Sequence, residues 1–419
     1  MPFIADLHLH SKYSRATSRD MGVESLAQWA RKKGISLLGT GDFTHPTYFA
    51  ELQAKLTPAE PGLYRLTQGE QDVRFMLQVE VSNIYRERER VRKIHTLVYA
   101  PSLEAAGRLN AAFARRANLL ADGRPTFSFS VRELCRIVFD VSPDSVVVPA
   151  HAWTPWFSVF GSRSGFDSLE EAFDGYRNHI FAIETGLSSD PEMNWRLSAL
   201  DGITLMSNSD AHSPSRLGRE CNVFAHVLDY WELWEAVRSR DAQRFLYTVE
   251  FFPEEGKYHL DGHRACGIRT TPAETRAHGL RCPACHGSLT VGVLHRVEAL
   301  ADRPSGQIPP DAIPFKRLVP LEEIIAAAIG QGVGTVAVRR EYDRLVAAAG
   351  SEFAILVELR QEDLGSFVPP RVLKAILRVR EELVTISPGY DGVYGTIKIF
   401  GDELVETPPS LQPPQIDLF

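Results

Sequence analysis

No apolar run in this 419-residue sequence approaches the roughly 20 residues that a helix needs to cross a bilayer. The first residues, Met1-Pro-Phe-Ile-Ala-Asp6, lack the basic region and the long apolar stretch of a signal peptide. We therefore expect a protein without a membrane span or a secretory leader, located in the cytoplasm.

Cysteine is scarce, with five residues in the whole sequence, and three of them cluster. An odd number with this grouping argues against the disulfide framework of a small secreted protein. It fits a metal site in a reducing compartment better. Cys135 and Cys221 stand alone and are expected to be small apolar core residues.

An excess of basic residues is also missing, because the formal net charge is −7. Nucleic-acid-binding domains are usually basic, so the balance argues mildly against such a partner. Local basic clusters do occur at residues 86–93 and at Arg115-Arg116, and a solvated surface would explain either of them. Net charge describes solubility and long-range steering rather than one groove.

The length indicates two or three domains. Strand-like apolar runs alternate with helical segments up to about residue 250, which predicts a parallel α/β architecture. A turn-rich stretch follows, and prolines at 304, 309 and 310 mark a further boundary. We predict a barrel at 1–250, a zinc-binding segment at 251–303, a small α/β domain at 304–402 and a Pro-rich linker with a tail at 403–419.

Helical periodicity is clearest at 23–34, where Leu26, Trp29 and Ala30 share one face and Gly34 provides a C-terminal stop. The same spacing predicts further helices at 103–119, 130–139, 169–176, 192–200, 230–239, 322–330, 341–349 and 371–383.

Seven short apolar runs before residue 250 each carry a metal-binding residue type at or near one end. Most of these residues follow their run, which is where a barrel of this kind forms its site, but His95 opens its run. A single such histidine would be read as a hydrogen-bonded core residue. A ligand type on every candidate barrel strand instead predicts a multi-metal site, formed by His8, His10, Asp42, His45, Glu80, His95, His151, Glu184, Asp210 and His212.

The ligand types indicate the chemistry. His8 and His10 are two positions apart on a strand, so both rings face one side, and Asp210-Ala-His212 repeats the arrangement. Carboxylate and imidazole ligands together suit Zn²⁺, Mn²⁺ or Fe²⁺. A carboxylate such as Glu80 can bridge two ions, and paired ions are suited to phosphate-ester hydrolysis.

The ligand order HxH, Asp/His, Glu, His, His, Glu, DxH resembles the polymerase-and-histidinol-phosphatase superfamily over about residues 1–250. The resemblance implies a distorted (β/α)₇ barrel with up to three metal ions, and it implies Glu80, Asp210 and His212 as catalytic residues. The implied ligands are His8, His10, Glu80 and Asp210 for one ion, Glu80, His95 and His151 for a second, and His212 with Asp42 or His45 for a third. Glu184 matches a position that the family often fills with Glu or Cys.

Two departures from the family pattern concern the third ion. Residues 11–19 lack the additional histidine that many members carry after HxH. Asp42 and His45 are separated by two residues, whereas the corresponding pair is adjacent in many members. The third site therefore depends on Asp42, on His45 or on both.

The cysteine cluster combines an HxxC pair with a CxxC pair, a spacing typical of a structural zinc site. We predict His263, Cys266, Cys282 and Cys285 as its ligands. His259, His278 and His286 are alternatives to His263. The other interpretation is a free-thiol or redox motif, which the lack of a strand–CxxC–helix context disfavours.

Further motifs resemble the endonuclease Q family along nearly the whole chain, including Gly39-Thr-Gly-Asp-Phe-Thr-His-Pro46, Ala150-His-Ala-Trp-Thr-Pro-Trp156 and Ser387-Pro-Gly-Tyr-Asp-Gly-Val-Tyr-Gly395. The resemblance implies cleavage of double-stranded DNA on the 5′ side of hypoxanthine, xanthine, uracil or an abasic site. It implies Mg²⁺ or Mn²⁺ for catalysis and Zn²⁺ in the structural site, with Zn²⁺ as an alternative ion for the barrel.

Reading a lesion requires an aromatic or apolar pocket for the displaced nucleotide. Trp153, Trp156 and Phe157 follow His151 and are candidates, with packing between the barrel and the next domain as the alternative. Further candidate DNA contacts are Arg163, Arg216, Tyr390 and Tyr394, and the domain at 304–402 is expected to contribute.

The last five residues, Gln415-Ile-Asp-Leu-Phe419, resemble the pentapeptide that binds bacterial sliding clamps. Their position behind a Pro-rich linker suits a tethered peptide, and an inert tail is the alternative. The predicted contacts are Gln415, Asp417, Leu418 and Phe419.

Two other functions compete with the repair endonuclease. A small-molecule phosphoesterase of the histidinol-phosphatase type would need only the barrel and would leave the later segments unexplained. A non-catalytic DNA-binding scaffold would be expected to lack ligands, whereas nearly all are present. Nothing in the sequence implies an oligomer.

Overall fold

Seven strands in the N-terminal half form the centre of the protein. The computed structural model describes residues 2–226 and 228–401. The predicted Pro-rich linker and clamp-binding tail at 403–419 lie outside the described residues. We label the seven strands β1 to β7, in chain order Phe3–Asp6, Leu37–Gly39, Arg74–Glu87, Arg90–Ala100, Val146–Pro149, Ala182–Glu184 and Thr204–Met206.

The seven strands close into a barrel. Strand β1 pairs with β2, β2 with β3, β3 with β4, β4 with β5, and β6 with β7. The N–H of Ala152 donates to the carbonyl of Glu184 at 2.9 Å and connects β5 to β6. A bridge between Leu9 and Ala211 connects β7 back to β1. The predicted α/β barrel of seven strands is therefore confirmed.

Strand β4 departs from the predicted parallel arrangement, because it runs antiparallel to both β3 and β5. Its beginning therefore lies at the end of the barrel where the other strands finish. In the register, His95 lies opposite Ser82 on β3, and Thr96 lies opposite Pro149 at the end of β5. This reversal explains why His95 stands at the beginning of its apolar run, whereas most of the other candidate ligands follow theirs.

The barrel interior is apolar at one end and polar at the other. Along β3 the side chains alternate, so that Met76 belongs to the inner cluster and Phe75 to the cluster beneath the surrounding helices. The same alternation turns Gln78 and Glu80 inwards at the polar end. The opposite end is closed by helix Tyr230–Ser239, whose Trp234 packs on Tyr99 with ring centroids 4.7 Å apart.

The helices that surround the barrel begin at capping residues. Ser102, Ser130 and Ser168 each accept a backbone N–H at the start of a helix, and Asp229 forms a capping box. Some predicted helices are shorter than expected, since 192–200 contains only one helical turn and a 3₁₀ segment. The helices are Val23–Lys33, Pro46–Lys55, Leu103–Ala114, Val131–Val141, Leu169–Phe173, Pro191–Asn194 and Tyr230–Ser239, with 3₁₀ segments Asp174–His179, Ser198–Leu200 and Pro214–Arg216.

Additional strands widen the barrel sheet on both sides. Cys221–Phe224 pairs antiparallel with β1, and Phe245–Glu250 pairs with Cys221–Phe224. Phe315–Arg317, from the predicted third domain, then adds in parallel to Phe245–Glu250. The later part of the chain is thus continuous with the barrel sheet. On the other side lie Leu56–Pro58, Tyr64–Leu66 and Thr126–Phe127.

The cysteine segment folds around a short hairpin. Its strands are Asp261–His263 and Ile268–Thr270, and helices Pro272–Ala277 and Val293–Leu300 follow. The 3₁₀ segments Pro253–Glu255 and Arg264–Cys266 flank the first strand.

The last described part of the chain is mostly helical. A buried ion pair joins it to the barrel, because Lys33 Nζ lies 2.6 Å from Glu352 Oε2. Tyr342 donates to the same carboxylate at 2.7 Å. Within the described residues, no helix is both long and apolar enough to cross a membrane. The elements are helices Leu321–Ile329, Val336–Ala349, Gln361–Gly365 and Pro370–Arg380, the π-helical turn Ala354–Glu358, and the hairpin strands Thr385–Ser387 and Thr396–Lys398.

Candidate metal centre and cleft

One group of ligand atoms lies where β1 and β7 end. His8 and His10 flank the bridged residue Leu9, and both rings are fully buried. Asp210 Oδ1 lies 3.5 Å from His8 Nε2 and 3.1 Å from His10 Nε2. None of these three buried atoms has a hydrogen bond of acceptable geometry. Buried polar atoms are normally paired, so three that converge without partners fit a cation.

A second group lies beside the first. Glu80 Oε1 is 2.8 Å from His95 Nδ1 and 3.0 Å from His151 Nε2. The two ring nitrogens are 3.3 Å apart. Both groups have the size of an ion site, because the candidate ligand atoms of each lie within 4.8 Å of one another. The mixed imidazole and carboxylate donors suit a transition metal.

Glu80 connects the two groups. Its Oε1 faces His95 and His151, whereas its Oε2 lies 3.3 Å from His10 Nε2. A carboxylate with one oxygen in each group has the geometry to bridge two ions. The fully buried position of Glu80, midway along β3, makes this arrangement possible.

Two carboxylates contact the Nδ1 atoms of the His8 and His10 rings. Both oxygens of Glu184 lie 3.0 Å from His8 Nδ1, and Asp42 Oδ1 lies 3.3 Å from His10 Nδ1. Such contacts fix the orientation and tautomer of a metal-binding histidine. They leave the Nε2 atoms of His8 and His10 pointing at Asp210. Asp42 and Glu184 therefore occupy supporting positions in this geometry.

The charges of the centre compensate one another. Burial would lower the pKa of His8, but Glu184 and Asp210 raise it to about 9. Burial would raise the pKa of Glu80, but His95 and Arg124 hold it well below its usual range. Burial lowers the pKa of His95 to about 4, despite the neighbouring Glu80. The Glu80 carboxylate is therefore ionised at neutral pH.

The backbone is strained at three of these residues. Asp42, His151 and Asp210 have φ angles of 36°, 29° and 48°. Positive φ is uncommon outside glycine and costs of the order of 1–3 kcal/mol where it is sparsely populated. The surrounding contacts therefore determine these conformations, as is typical of functional sites.

The residues predicted for a third ion do not converge. Asp42 faces the ring of His10, and His45 stacks on Tyr13 with centroids 4.4 Å apart. His212 lies against His10, and its Nδ1 is 2.9 Å from the carbonyl oxygen of Asp210. In the part of the chain that the structure describes, the barrel has two ligand groups and no third.

A separate group forms in the cysteine segment. His263, Cys266, Cys282 and Cys285 offer ligand atoms within 4.8 Å of one another. Burial would raise the pKa of Cys282, but backbone donors of Cys285 and Ala284 and the His263 ring lower it to about 6. A thiol that ionises readily is a good zinc ligand. Cys135 and Cys221 are buried in the core.

A cleft of about 710 Å³ opens above the barrel groups. His95, His151 and Asp210 line it from the barrel. Its other walls come from residues 154–157, from 255–258 and from the loop of the last hairpin. Lining side chains that the sequence patterns did not single out include Arg124, Arg219, Lys257 and Tyr258. These residues belong to no metal-ligand pattern in the sequence, so only the folded structure shows that they line the cleft.

The predicted DNA contacts divide into two sets. Trp156, Phe157, Arg216 and Tyr394 line the cleft, and Arg163 lies 5.9 Å from the Trp156 ring. Trp153 does not line the cleft and is corrected to a core residue, because it is fully buried and donates to Asn194 at 2.7 Å. Tyr390 packs over Gly262, away from the cleft.

Known proteins resemble different lengths of the chain. Residues 320–383 match the family model of the MJ0043 C-terminal domain. The uncharacterised protein YqxK of Bacillus subtilis (strain 168) is 29% identical over 409 residues, which cover 94% of this chain and 98% of YqxK. The uncharacterised protein MJ0043 of Methanocaldococcus jannaschii is 33% identical over 256 residues, which cover 59% of this chain and 31% of MJ0043.

Two solved structures match almost the entire chain. The lesion-specific endonuclease PfuEndoQ from Pyrococcus furiosus has a TM-score of 0.84 at 32% identity, with 95% of each chain covered. This chain belongs to the endonuclease Q family. An endonuclease Q bound to a 27-mer duplex with an abasic lesion at its active site has a TM-score of 0.83 at 32% identity, covering 98% of this chain and 99% of that one.

The barrel groups and the cysteine group share no residue, so we predict that each can lose its metal independently of the other. We expect His10→Ala to lose barrel metal and retain zinc, because only the barrel group loses a donor. We expect Cys285→Ser to lose zinc and retain barrel metal. Elemental analysis of the purified variants, compared with the unchanged protein, measures both. Loss of both metals from either variant would contradict the assignment of two independent sites.

Proposed function

We propose that this protein is a DNA-repair endonuclease that cleaves double-stranded DNA 5′ to hypoxanthine, xanthine, uracil or an abasic site. The products would carry a 3′-hydroxyl and a 5′-phosphate. The observation that carries the proposal is the pair of ligand groups sharing Glu80 at the floor of a large cleft, in a member of the endonuclease Q family. The imidazole and carboxylate donors of the barrel fit Mn²⁺, the cysteine-rich group fits Zn²⁺, and the family resemblance implies Mg²⁺ as the alternative barrel ion.

The barrel side chains position the reaction. Two adjacent divalent ions would activate water and stabilise the leaving oxygen in phosphodiester hydrolysis. Glu80, with one oxygen in each group, fixes the spacing between the groups. Glu184 and Asp42 hold the rings of His8 and His10 in one orientation. The centre is therefore organised before substrate binds.

The cleft supports the proposed recognition of a lesion. An enzyme that reads a base inside a duplex has to take the nucleotide out of the stack and enclose it in a pocket. The cleft volume of about 710 Å³ lies within the range of small-molecule sites. A deaminated base or an abasic sugar leaves the stack more readily than a normal paired base, which would contribute to selectivity.

Aromatic and cationic side chains line one wall of the cleft. Trp156 is 37% exposed, Tyr394 is 70% exposed, and Tyr258 meets Trp156 with ring centroids 5.3 Å apart. Lys257 Nζ lies 5.6 Å from the Tyr258 ring centroid and 5.7 Å from that of Tyr394. Exposed aromatic rings beside cations are suited to unstacked bases and phosphates.

Main-chain hydrogen bonds hold this wall together. Gly392 N donates to the Lys257 carbonyl at 2.8 Å, and Gly395 N donates to the Glu255 carbonyl at 3.0 Å. A Cβ atom at Gly395 would collide with the carbonyl oxygen of Glu254, so glycine is required for this close approach. The predicted DNA contacts of residues 304–402 would thus act through the loop of the last hairpin.

The decisive test of the function uses labelled duplexes with one hypoxanthine, one uracil, one abasic site or no lesion. We expect a nick immediately 5′ to the lesion with Mg²⁺ or Mn²⁺, and none with EDTA or on normal DNA. Asp210→Asn should abolish the nick, because it removes a charged donor from one ligand group. A normal rate in Asp210→Asn would contradict the assigned centre. Release of phosphate from histidinol phosphate without any nick would instead favour the small-molecule phosphoesterase.

The exposed aromatic rings of the cleft wall lead to a prediction for substrate binding. Replacing Trp156 by alanine should weaken lesion-duplex binding by about 5- to 150-fold, since stacking is worth about 1–3 kcal/mol per base. Fluorescence anisotropy with the inactive Asp210→Asn protein measures this. Trp231→Ala is the matched control, because Trp231 is 46% exposed on the helix at the opposite end of the barrel. Equal affinity in both tryptophan variants would exclude Trp156 from the DNA interface.

The C-terminal tail gives an independent prediction. A Gln-Ile-Asp-Leu-Phe sequence supports binding to a bacterial sliding clamp, because its apolar residues can enter a groove on the partner. Deleting Leu418 and Phe419 should abolish clamp binding while the nicking rate stays the same. Surface plasmon resonance on immobilised clamp measures the first and the duplex assay the second. Unchanged clamp affinity would refute this role of the tail.

A further inference from the structure

Arg124 is the cationic side chain that touches the shared carboxylate of the barrel centre. Its Nη1 donates to Glu80 Oε2 at 2.9 Å. The side chain is 28% exposed and lines the cleft beside His95, His151 and Asp210. The guanidinium group thus lies at the boundary between the ligand groups and the space available to substrate.

The main chain on both sides of Arg124 is fixed. Gly123 N donates to the Tyr13 carbonyl at 3.0 Å, and the Pro125 carbonyl accepts from Ser82 N on β3 at 2.9 Å. A Cβ atom at Gly123 would collide with Asp42 Oδ2, so only glycine permits this approach. Arg124 is therefore held over the centre by a segment docked on β3 and on Asp42.

The same contacts explain the lack of a third ligand group. Asp42 Oδ2 accepts from Ser11 N, Ser11 Oγ and Ser14 Oγ at 2.6, 2.6 and 2.9 Å, and Gly123 covers it. A carboxylate that is enclosed in this way has little free capacity for an ion. His212 packs on His10 with ring centroids 4.5 Å apart, and its Nδ1 lies beside the Asp210 carbonyl oxygen. The guanidinium of Arg124, in contrast, is fixed beside Glu80 and presents a positive charge to the cleft.

We infer that Arg124 is a catalytic residue whose guanidinium binds a non-bridging oxygen of the scissile phosphodiester and supplies positive charge in place of a third metal ion. This inference rests on the proposed function. Arginine has five N–H donors in a planar fork, and the contact with Glu80 uses one nitrogen. The remaining donors are suited to a phosphate, whose oxygens match the guanidinium geometry.

The chemistry of the step explains the benefit. Water forms a new bond to phosphorus, the bond from phosphorus to the 3′ oxygen breaks, and a proton from water ends on the 3′ oxygen. Negative charge on the phosphoryl oxygens increases as the reaction proceeds. A guanidinium held in advance stabilises this charge without reorganisation, and such donors typically contribute about 100- to 1,000-fold to the rate.

The test compares Arg124→Gln, Arg124→Lys and Arg124→Ala with the unchanged protein on the hypoxanthine duplex. We expect Arg124→Gln to lower kcat by about 100-fold or more, with KM within a few-fold and barrel metal content unchanged. The kcat of Arg124→Lys should lie between that of Arg124→Gln and that of the unchanged protein, because lysine provides a point charge without the planar fork of arginine. Added methylguanidinium should restore part of the activity of Arg124→Ala.

Arg108→Gln is the matched control, because Arg108 lies on an exposed helix face and pairs with Glu104. Loss of barrel metal from Arg124→Gln, or an unchanged kcat, would overturn the inference, since the first outcome would reduce Arg124 to a residue that positions Glu80. Hydrolysis of bis(p-nitrophenyl) phosphate with Mn²⁺ provides a second readout. Failure of the lesion assay in the unchanged protein would refute the proposed function, whereas this diester reaction would still test Arg124.

Discussion

The buried carboxylate of Glu80 is the constraint on which the centre depends. An unpaired ionised carboxylate inside a protein is strongly unfavourable, so neighbouring positive or polar groups have to compensate it. His10, His95, His151 and Arg124 all lie within 3.3 Å of its oxygens. These side chains come from the β1 end, β4, the β5 end and the segment before helix Val131–Val141. Closing the barrel is therefore also what assembles and neutralises the centre.

The reversal of β4 follows from the same constraint. If β4 ran parallel to its neighbours, its beginning and His95 would lie at the apolar end near helix Tyr230–Ser239. Running antiparallel, it places His95 opposite Ser82, two positions beyond Glu80. A short connection from Glu87 to Arg90 suffices for an antiparallel pair, whereas a parallel pair would need a crossover. Sequence alternation alone did not indicate this, although the two-residue gap between long strands is a signal that could have.

Much of the fold and of the ligand set could be predicted because both depend on local patterns. Buried strands appear as apolar runs, and ligand types at their ends are visible residue by residue. The roles of Asp42 and Glu184 could not be predicted, because only the tertiary structure shows that they face the Nδ1 atoms of His10 and His8. Trp153 was misassigned for a similar reason, since its partner Asn194 is 41 positions away. No local sequence pattern marks Arg124 as part of the centre.

The ligand groups and the wall of the cleft come from different parts of the chain. The centre depends on barrel strands and on strained residues such as Asp210, with φ of 48°, whose conformation many contacts determine. The cleft wall depends on segments beyond the barrel, joined by main-chain bonds such as Gly395 N to Glu255 O. The ligand groups come from the barrel, whereas Lys257, Tyr258 and Tyr394 come from later segments. The proposed endonuclease would use these later segments for substrate binding, because they provide exposed aromatic rings on which a displaced nucleotide could stack.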